Sequence, residues 1–356
     1  MSSDGRRRTG GTLRPLPPPP GGALRRSGGE PAADRVPHLP PPLPLQRAHL
    51  SQVRTHTYMN SILQNESFFK GKVVLDVGCG TGILSLFAAK AGAAHVYGVD
   101  MSSIAEQAQE IVKKNGYEDR VTIIRGKVEE IQLPVDGVDI IISEWMGYFL
   151  FYESMLNSVI YARDKWLRPG GVVMPDVATV SLCAIEDAEY RHDKIDFWDN
   201  VYGFNMDCIK KIALAEPLVD VVDPDQVSTD VCLIKRIDIS DCSVEDCTFK
   251  VPFTLTAQRN DYLHALVAYF DVSFTKMHKP IGFSTSPAVT PTHWKQTVFY
   301  LKDAITICKG EKITGTLECR PNDKNERDLD VVIEYNFEGK MGPGNTTHAR
   351  MDYRMR

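Results

Sequence analysis

The feature that most constrains the fold is a regular alternation of strand-like and helix-like runs between residues 51 and 175. Four apolar runs of strand length lie in this part of the chain, at 72–77, 95–100, 120–126 and 138–144. Helix-like segments separate the first three, and the second segment starts with a possible capping box, Ser103–Glu106. An order of this kind gives a parallel sheet covered by helices. The sequence therefore predicts an α/β, doubly wound domain over residues 51–175.

After residue 175 the pattern changes to β-rich runs that are separated by turns. These runs are found at 177–185, 246–258, 265–275, 295–301, 312–320 and 329–339. They predict an antiparallel barrel or sandwich over residues 176–356. An insertion at about 187–220 interrupts them, and its crowded aromatic residues predict an arm that packs on another surface: Phe197, Trp198, Tyr202 and Phe204.

Residues 1–50 differ in composition from the rest of the chain. Residues 1–46 contain 11 of the 22 prolines, and the whole segment has eight arginines against three acids. Such a segment cannot bury enough apolar surface to fold, so we expect a disordered or polyproline-like tail. PxxP spacings raise the alternative of an SH3 ligand, but a correctly spaced flanking arginine is missing, which favours an unstructured tail.

The charge of the remaining 306 residues is acidic, with 33 Lys and Arg against 43 Asp and Glu. An acidic body disfavours direct nucleic-acid binding and attracts cationic partners. No apolar window is long enough to span a membrane, and the N-terminus lacks the apolar core of a secretion signal. The eight cysteines show no zinc spacing, so we expect reduced thiols, no metal, and a place in the cytoplasm and nucleus.

A glycine-rich turn, in "VLDVGCGTG" (74–82), follows the first predicted strand. Gly78, Gly80 and Gly82 would let a ligand approach the backbone at the carboxyl edge of the sheet. Asp100 ends the second strand, where a carboxylate can accept both ribose hydroxyls. NAD and S-adenosylmethionine both fit this outline. The dinucleotide fingerprint requires a glycine after Gly82, where this chain has isoleucine, and a methionyl donor has an ammonium for Asp76 to meet, so S-adenosylmethionine is favoured.

Two glutamates lie at the ends of the apolar, aromatic segment "SEWMGYFLFYE" (143–153), with no Lys or Arg between them. Carboxylates are costly to desolvate unless a cation meets them. Glu144 and Glu153 could grip a substrate guanidinium, polarise its charge and leave one nitrogen free to attack a sulfonium methyl. From the residues alone, two ordinary boundary charges remain the simpler interpretation.

Taken together, the motifs resemble those of protein arginine N-methyltransferases. "SEWMGYFLFYE" is similar to their double-glutamate loop, "VLDVGCGTG" to their cofactor motif, "THWKQ" (292–296) to their Thr-His-Trp loop and "FWDNVYGF" (197–204) to their dimerisation arm. The resemblance covers about residues 53–356 and is closest to the type I branch, which forms asymmetric dimethylarginine. It implies a methyltransferase domain that uses S-adenosylmethionine, a β-barrel with an inserted helical dimerisation arm, and a homodimer.

The resemblance also implies roles for individual residues. Arg54 would pair with the methionyl carboxylate of the donor, Asp100 with its ribose, and Glu129 with the Val128 backbone with its adenine. Glu144 and Glu153 would hold the substrate guanidinium, beside a set of residues that line the arginine slot: Tyr148, Met155, His293 and Trp294. Met155 would correspond to a methionine of type I sites that leaves room for a second methyl group on the same nitrogen.

The resemblance implies Gly/Arg-rich proteins and histone tails as substrates. It breaks before Arg54, where the family has a helix with a Tyr-Phe-x-x-Tyr stretch that closes over the donor. Residues 35–39 read "RVPHL" here, and nearby prolines exclude a helix. A catalytically weak or silent subunit that pairs with an active relative is therefore the alternative function, and an NAD oxidoreductase is a more distant one.

Overall fold

The computed structural model describes residues 52–340 and 345–356. The expectations for the tail, including its disorder and the missing N-terminal helix, lie outside the described residues. The described helices are α1 (Gln52–Leu63), α2 (Glu66–Phe69), α3 (Ile83–Lys90), α4 (Ile104–Lys114), α5 (Leu156–Trp166), α6 (Ala188–Tyr190) and α7 (Asp207–Ala215). Among these residues, no helix has the length and apolarity that a membrane crossing requires.

A five-stranded sheet forms the centre of the first domain. Its strands are β1 (Val73–Val77), β2 (His95–Asp100), β3 (Val121–Arg125), β4 (Val138–Ser143) and β5 (Leu167–Met174). Their order is β3-β2-β1-β4-β5, and every neighbouring pair is parallel. The strand order reverses between β1 and β4, which is where open α/β sheets bind their ligands. The predicted doubly wound sheet is confirmed.

Two details of this domain differ from the sequence prediction. β5 was not predicted, because its first half is the turn-like "LRPGG" and only its second half is apolar. The capping box at α4 is wrong, since the Ser103 side chain makes no capping hydrogen bond. Glu106 instead forms an ion pair with Arg125 of β3, which draws it away from the helix terminus.

Two antiparallel sheets form the second domain. The first consists of β6 (Val177–Ile185), β7 (Leu218–Asp220), β8 (Cys232–Asp238), β10 (Asp261–Phe274), β11 (Ile281–Ser284) and β12 (Gln296–Ile307). The second consists of β9 (Phe249–Thr256), β13 (Lys312–Pro321), β14 (Leu329–Glu338) and β15 (Thr346–Met355). Buried side chains of both sheets share one apolar core, and a bridge between Thr229 and Ala257 connects them. This barrel-like arrangement agrees with the fold class that the resemblance implied.

The sequence did not predict β8 or β15, and both are edge strands. β8 has the sequence CLIKRID and β15 has TTHARMDYRM, so charged residues break the apolar pattern in each. A strand at an edge of a sheet tolerates such residues because part of it faces water.

The predicted arm lies between β6 and β7. It contains α6, a π-helical turn, a 3-10 turn and α7. Phe197, Tyr202 and Phe204 are exposed, and Tyr202 is exposed by 95%. Trp198 is only half-buried, and its indole N–H donates to the Lys194 carbonyl. The arm therefore presents a cluster of apolar rings to solvent in the single chain.

Helix α1 connects the two domains beside the carboxyl edge of the parallel sheet. The Tyr58 hydroxyl donates to the Ser143 carbonyl at 2.8 Å, at the end of β4. The Asn65 side chain, just after α1, accepts from the Lys279 N–H at 3.0 Å and so attaches this segment to the β10–β11 connection of the barrel. The helix that carries Arg54 is thus held by both domains.

Candidate active site

The glycine turn after β1 has the backbone shape that its glycines predicted. Gly78, Gly80 and Gly82 all have positive φ, at 71°, 54° and 80°, a region that favours glycine. A Cβ at Gly78 would lie 2.5 Å from Met155 Cε, whereas one at Gly80 would meet nothing within 4 Å. Met155 therefore closes over the first glycine of the turn.

An open cleft of about 450 Å³ lies at this edge of the sheet. It is lined by residues from the ends of β1, β2 and β3, from the start of α5 and from the barrel: Val77, Gly78, Val99, Asp100, Met101, Gly126, Lys127, Val128, Glu129, Glu130, Met155, Ser158 and Glu326. Four predicted donor residues and the predicted substrate residue Met155 are therefore brought together. Arg54, Asp76 and Gly80 do not line this cleft.

The two aspartates of the cofactor motif occupy different environments. Asp76 is fully buried and accepts from the Ser85 hydroxyl at 2.7 Å, while its other oxygen has no partner among the described residues. Burial raises the pKa of Asp76 to about 6, although the Ser85 hydrogen bonds oppose this rise. Asp100 accepts from the Gly80 N–H at 3.0 Å and from the backbone and side chain of Ser102. Asp100 therefore fixes the glycine turn from the wall of the cleft.

Glu129 also lines the cleft and lies in the loop between β3 and β4. Its carboxylate accepts from the Ser158 hydroxyl at 2.6 Å, and its carbonyl accepts from the Tyr161 hydroxyl at 2.9 Å. Both partners belong to α5, so this helix holds the loop in place. The neighbouring Val128 is buried.

Glu144 follows directly after β4 and has a partner that the sequence did not predict. Arg54 Nη1 of α1 lies 2.9 Å from Glu144 Oε2, and both side chains are largely buried. Burial raises the pKa of Glu144 to about 7, although the nearby Arg54 guanidinium opposes the rise. The segment 143–153 contains no cation of its own, so the positive charge beside this carboxylate comes from a distant helix. Arg54, which was expected at the donor, thus contacts a residue expected at the substrate.

Glu153 is exposed, unlike Glu144, and lies in a strained turn. Its φ is 55°, and the preceding Phe149 and Leu150 also have positive φ. A non-glycine residue stays in this region only when its surroundings fix it. Here the Glu153 N–H donates to the Arg327 carbonyl at 3.0 Å, and the Arg327 guanidinium donates to the Glu153 carbonyl at 3.4 Å. The loop between β13 and β14 therefore sets the position of Glu153.

The Thr-His-Trp segment is placed differently from the expectation that both rings wall the arginine slot. Trp294 is only 3% exposed, stacks on Phe283, and its indole N–H donates to the Met146 carbonyl at 3.0 Å. Trp294 therefore supports the segment 143–153 from the buried side, through its hydrogen bond to Met146. His293 is half-buried, and its Nδ1 has no partner among the described residues. Burial, assisted by the positive charge of Arg54, lowers the pKa of His293 to about 4.

Two tyrosines shape the segment 143–153, one from within it and one from α1. Tyr148, predicted to contact substrate, is half-buried, bridges to Tyr152 and places its ring 6.5 Å from that ring. Tyr58, which sequence reasoning missed, is buried and bonds to Ser143 beside Glu144. Its position four residues after Arg54, on the same side of a helix, is the sequence signal that could have found it.

The fold and the cleft are those of a methyltransferase domain joined to an antiparallel β-domain. Residues 74–171 match a family described as "Methyltransferase domain", and residues 176–340 match one described as "Arginine methyltransferase oligomerization subdomain". The first match ends within β5, and the second begins in the connection from β5 to β6.

Similar proteins identify the family. The chain is 66% identical over 304 residues to protein arginine N-methyltransferase 1 of Chlamydomonas reinhardtii, and the match covers 85% of this chain and 87% of that protein. It is 62% identical over 288 residues to protein arginine N-methyltransferase 1.1 of Arabidopsis thaliana, with coverage of 81% and 74%. The chain belongs to the protein arginine N-methyltransferase family.

Solved structures agree with this assignment. A chain of the Trypanosoma brucei PRMT1 enzyme–prozyme heterotetrameric complex with AdoHcy matches with a TM-score of 0.83 and 47% identity, covering 88% of this chain and 96% of that one. Arabidopsis thaliana protein arginine methyltransferase 10, in an open conformation, matches with a TM-score of 0.77 and 30% identity, covering 88% and 98%. The cofactor of this protein is S-adenosylmethionine, and its reaction class is arginine methylation.

The cleft fits this donor on two observations. Gly78 lines the cleft and has no side chain, so the turn can meet a ligand with its backbone. Asp100 and Glu129 both line the cleft and offer acceptors for the ribose and the adenine. The donor, when bound, supplies an activated methyl group on a sulfonium.

Proposed function

We propose that this protein transfers methyl groups from S-adenosylmethionine to guanidino nitrogens of arginines in Gly/Arg-rich proteins and histone tails. The products are monomethylarginine and asymmetric dimethylarginine, as in the type I branch. Glu144 and Glu153 hold the substrate guanidinium, and the acidic body of the chain attracts cationic substrates.

One observation carries this proposal: Glu144 already binds a guanidinium, that of Arg54, at 2.9 Å in a largely buried setting. The carboxylate therefore has the surroundings that an arginine side chain needs. A guanidinium is always protonated and spreads its charge over three nitrogens. A carboxylate that grips two N–H groups draws the charge towards them, which leaves the third nitrogen more nucleophilic.

The product type is supported by Met155. Its side chain lies over Gly78 in the wall of the donor cleft. A methionine side chain is unbranched and adaptable, so it can yield space to a nitrogen that already bears one methyl. We therefore expect two methyl groups on the same nitrogen.

Self-association and location belong to the proposal as well. The exposed rings of Phe197, Tyr202 and Phe204 would be covered if the arm of one chain packed on another. A homodimer is the simplest assembly, because it covers the same arm twice. The cysteines are all free thiols, which suits a reducing compartment and supports the cytoplasm and nucleus.

A catalytically weak or silent subunit is the second candidate. The similar Trypanosoma brucei complex contains an enzyme and a prozyme, so two kinds of chain assemble there. In this chain, residues 35–39 differ from the donor-covering helix that the resemblance led us to expect. Such a subunit would pair with a relative while methylating little by itself.

Methyl transfer to a defined peptide tests the proposal. The protein is incubated with radiolabelled S-adenosylmethionine and a Gly/Arg-rich peptide, and the hydrolysed product is separated into its methylarginines. We expect label in monomethylarginine and asymmetric dimethylarginine, and none in a matched peptide with lysine in place of arginine. Label in the symmetric isomer would refute the product type. No label from the chain alone, together with stimulation of an active relative, would favour the second candidate.

A further inference from the structure

Glu326 is the residue of the barrel domain that lines the donor cleft. It lies in the connection between β13 and β14, which turns back on itself: the Asn322 N–H donates to the Asp328 carbonyl at 2.9 Å, and the Asn322 side chain accepts from the Lys324 N–H at 3.0 Å. The Asn322 amide also donates to Asp330 at 3.0 Å. These bonds give the exposed loop a defined shape, so the position of Glu326 is built into the fold.

The loop is attached to the double-glutamate segment at the residue next to Glu326. The backbone of Arg327 accepts from the Glu153 N–H at 3.0 Å. Since consecutive Cα atoms are about 3.8 Å apart, the Glu326 backbone lies within about 10 Å of the Glu153 turn. A long side chain that flanks an arginine bound between Glu144 and Glu153 can therefore reach Glu326.

Glu326 also differs from the other acidic residues that line the cleft, because those residues have partners within the chain. Asp100 accepts from Gly80 and Ser102, Glu129 accepts from Ser158, and Glu130 pairs with Lys127 at 3.1 Å. Among the described residues, the Glu326 side chain has no hydrogen bond and no ion pair, although it is exposed at the cleft. An ionised carboxylate in that position attracts a cation from outside the chain.

We propose that Glu326 determines specificity by binding a cationic side chain, lysine or arginine, that flanks the target arginine in the substrate. This inference rests on the proposed function. The donor is a poorer candidate for the partner, because its ribose and adenine already have acceptors in Asp100 and Glu129. A flanking lysine or arginine has a long, flexible side chain, and one or two residues of peptide suffice to bring it from the Glu153 turn to Glu326.

Steady-state kinetics with two peptides test this role. One peptide has a single arginine among glycines, and the other has the same arginine with lysine two residues to either side. For Glu326→Gln we expect KM to rise about two- to five-fold more for the lysine-flanked peptide than for the glycine-flanked one, which is the range of an exposed ion pair. The extra rise should shrink at high salt, since salt screens exposed charges. Glu326→Lys should reverse the preference and favour a glutamate-flanked peptide.

Asp323→Asn is the matched control, since it removes one acidic charge from the same loop. Asp323 is 87% exposed at its side chain, pairs with Arg320 and does not line the cleft. We expect it to change KM equally for both peptides. Donor Kd is measured in parallel by calorimetry.

The outcomes distinguish the specificity role of Glu326 from the proposed methyltransferase activity. An equal effect of Glu326→Gln on both peptides would overturn the specificity role, and so would a raised donor Kd, which would make Glu326 a donor contact. If the unmodified chain labels neither peptide, the proposed function fails and the specificity role fails with it. A selective rise in KM with an unchanged donor Kd supports both.

Discussion

Arg54 and Glu144 are 90 residues apart in the sequence, yet Arg54 Nη1 lies 2.9 Å from Glu144 Oε2. The same guanidinium is proposed to bind the donor's carboxylate, and the same glutamate is proposed to bind the substrate. The contact therefore links the proposed donor site to the proposed substrate site. While Arg54 neutralises Glu144, a second guanidinium gains less from that carboxylate. When the donor's carboxylate pairs with Arg54, that guanidinium no longer neutralises Glu144, and Glu144 becomes available to the substrate.

Replacement of Arg54 tests this link. Arg54→Ala should weaken donor binding at least about tenfold, because hydrogen bonds to charged groups are worth about 1.5–3 kcal/mol. The same variant should bind a Gly/Arg-rich peptide at least as tightly as the parent when no donor is present. Calorimetry with S-adenosylhomocysteine and with peptide, measured separately, gives both constants. Arg120→Ala, which removes an exposed arginine paired with Asp119, should alter neither; weaker peptide binding by Arg54→Ala would contradict the link.

The two glutamates are tested by isosteric replacement. Glu144→Gln and Glu153→Gln should each lower kcat by about 10²–10³, the usual loss when one preorganised electrostatic group is removed from an active site. Donor affinity should stay close to that of the parent in Glu153→Gln and should not weaken in Glu144→Gln, because loss of the Glu144 charge leaves Arg54 to the donor. Radiolabel transfer and calorimetry measure the two effects. Glu118→Gln, at an exposed position of the same domain, is the control, and full activity in either active-site variant would refute its role.

The pH dependence follows from Glu144. Burial raises the pKa of Glu144 to about 7, and only its ionised form can grip a guanidinium. kcat/KM should therefore rise with pH through about 7 and level off above it. Because Arg54 opposes the rise in that pKa, Arg54→Met should move the midpoint to higher pH. Burial lowers the pKa of His293 to about 4, so its titration should leave no limb between about pH 5 and 8, where an unperturbed histidine titrates. A pH–rate profile that is flat across neutral pH would contradict this assignment.

Two glycines of the turn offer a matched pair. Gly78 and Gly80 both have positive φ, so alanine costs about 1–2 kcal/mol of backbone strain at either position. Only at Gly78 would the new Cβ clash with Met155, at 2.5 Å from Cε. Gly78→Ala should therefore raise donor Kd more than Gly80→Ala while both lower the melting temperature similarly. Equal donor affinities in the two variants would show that Met155 does not close on the donor site.

Self-association is tested on the arm. Phe204→Ser should shift the protein towards monomer at micromolar concentration, because it removes an exposed ring, 69% accessible, from the proposed interface. Light scattering after size exclusion gives the mass. Tyr262→Ser, an exposed aromatic on β10 of the barrel, controls for the loss of a surface ring. A parent chain that is already monomeric with a folded arm would defeat the proposal.

Local patterns in the sequence were sufficient to predict the parallel sheet. Val73–Val77 and Val138–Ser143 are mainly apolar, with one aspartate each, because helices cover both faces of such a sheet. Asp100 could be placed at the cleft because the carboxyl ends of parallel strands share one edge. The edge strand Thr346–Met355 could not be predicted, since its pattern is set by a neighbour and by water.

The parts of the site that escaped prediction are contacts between distant segments. Arg54 reaches Glu144 from α1, Trp294 supports Met146 across 148 residues, and Glu153 is bonded to Arg327 across 174. No local periodicity encodes such pairs. The indole of Trp294 was expected at the substrate slot because its motif is known there, but its burial follows from the barrel side chains around it.

The bond between Glu153 and Arg327 limits how this protein could be divided. Glu153 belongs to the methyltransferase half of the chain, yet its strained turn is held by a loop of the other half. A gene fragment that ends after β5 would encode a complete parallel sheet but would lack the Arg327 carbonyl that bonds to the Glu153 N–H. Exchange of the barrel between relatives would likewise keep this bond only if the incoming loop placed a backbone carbonyl at the same position. The two halves must therefore be inherited together.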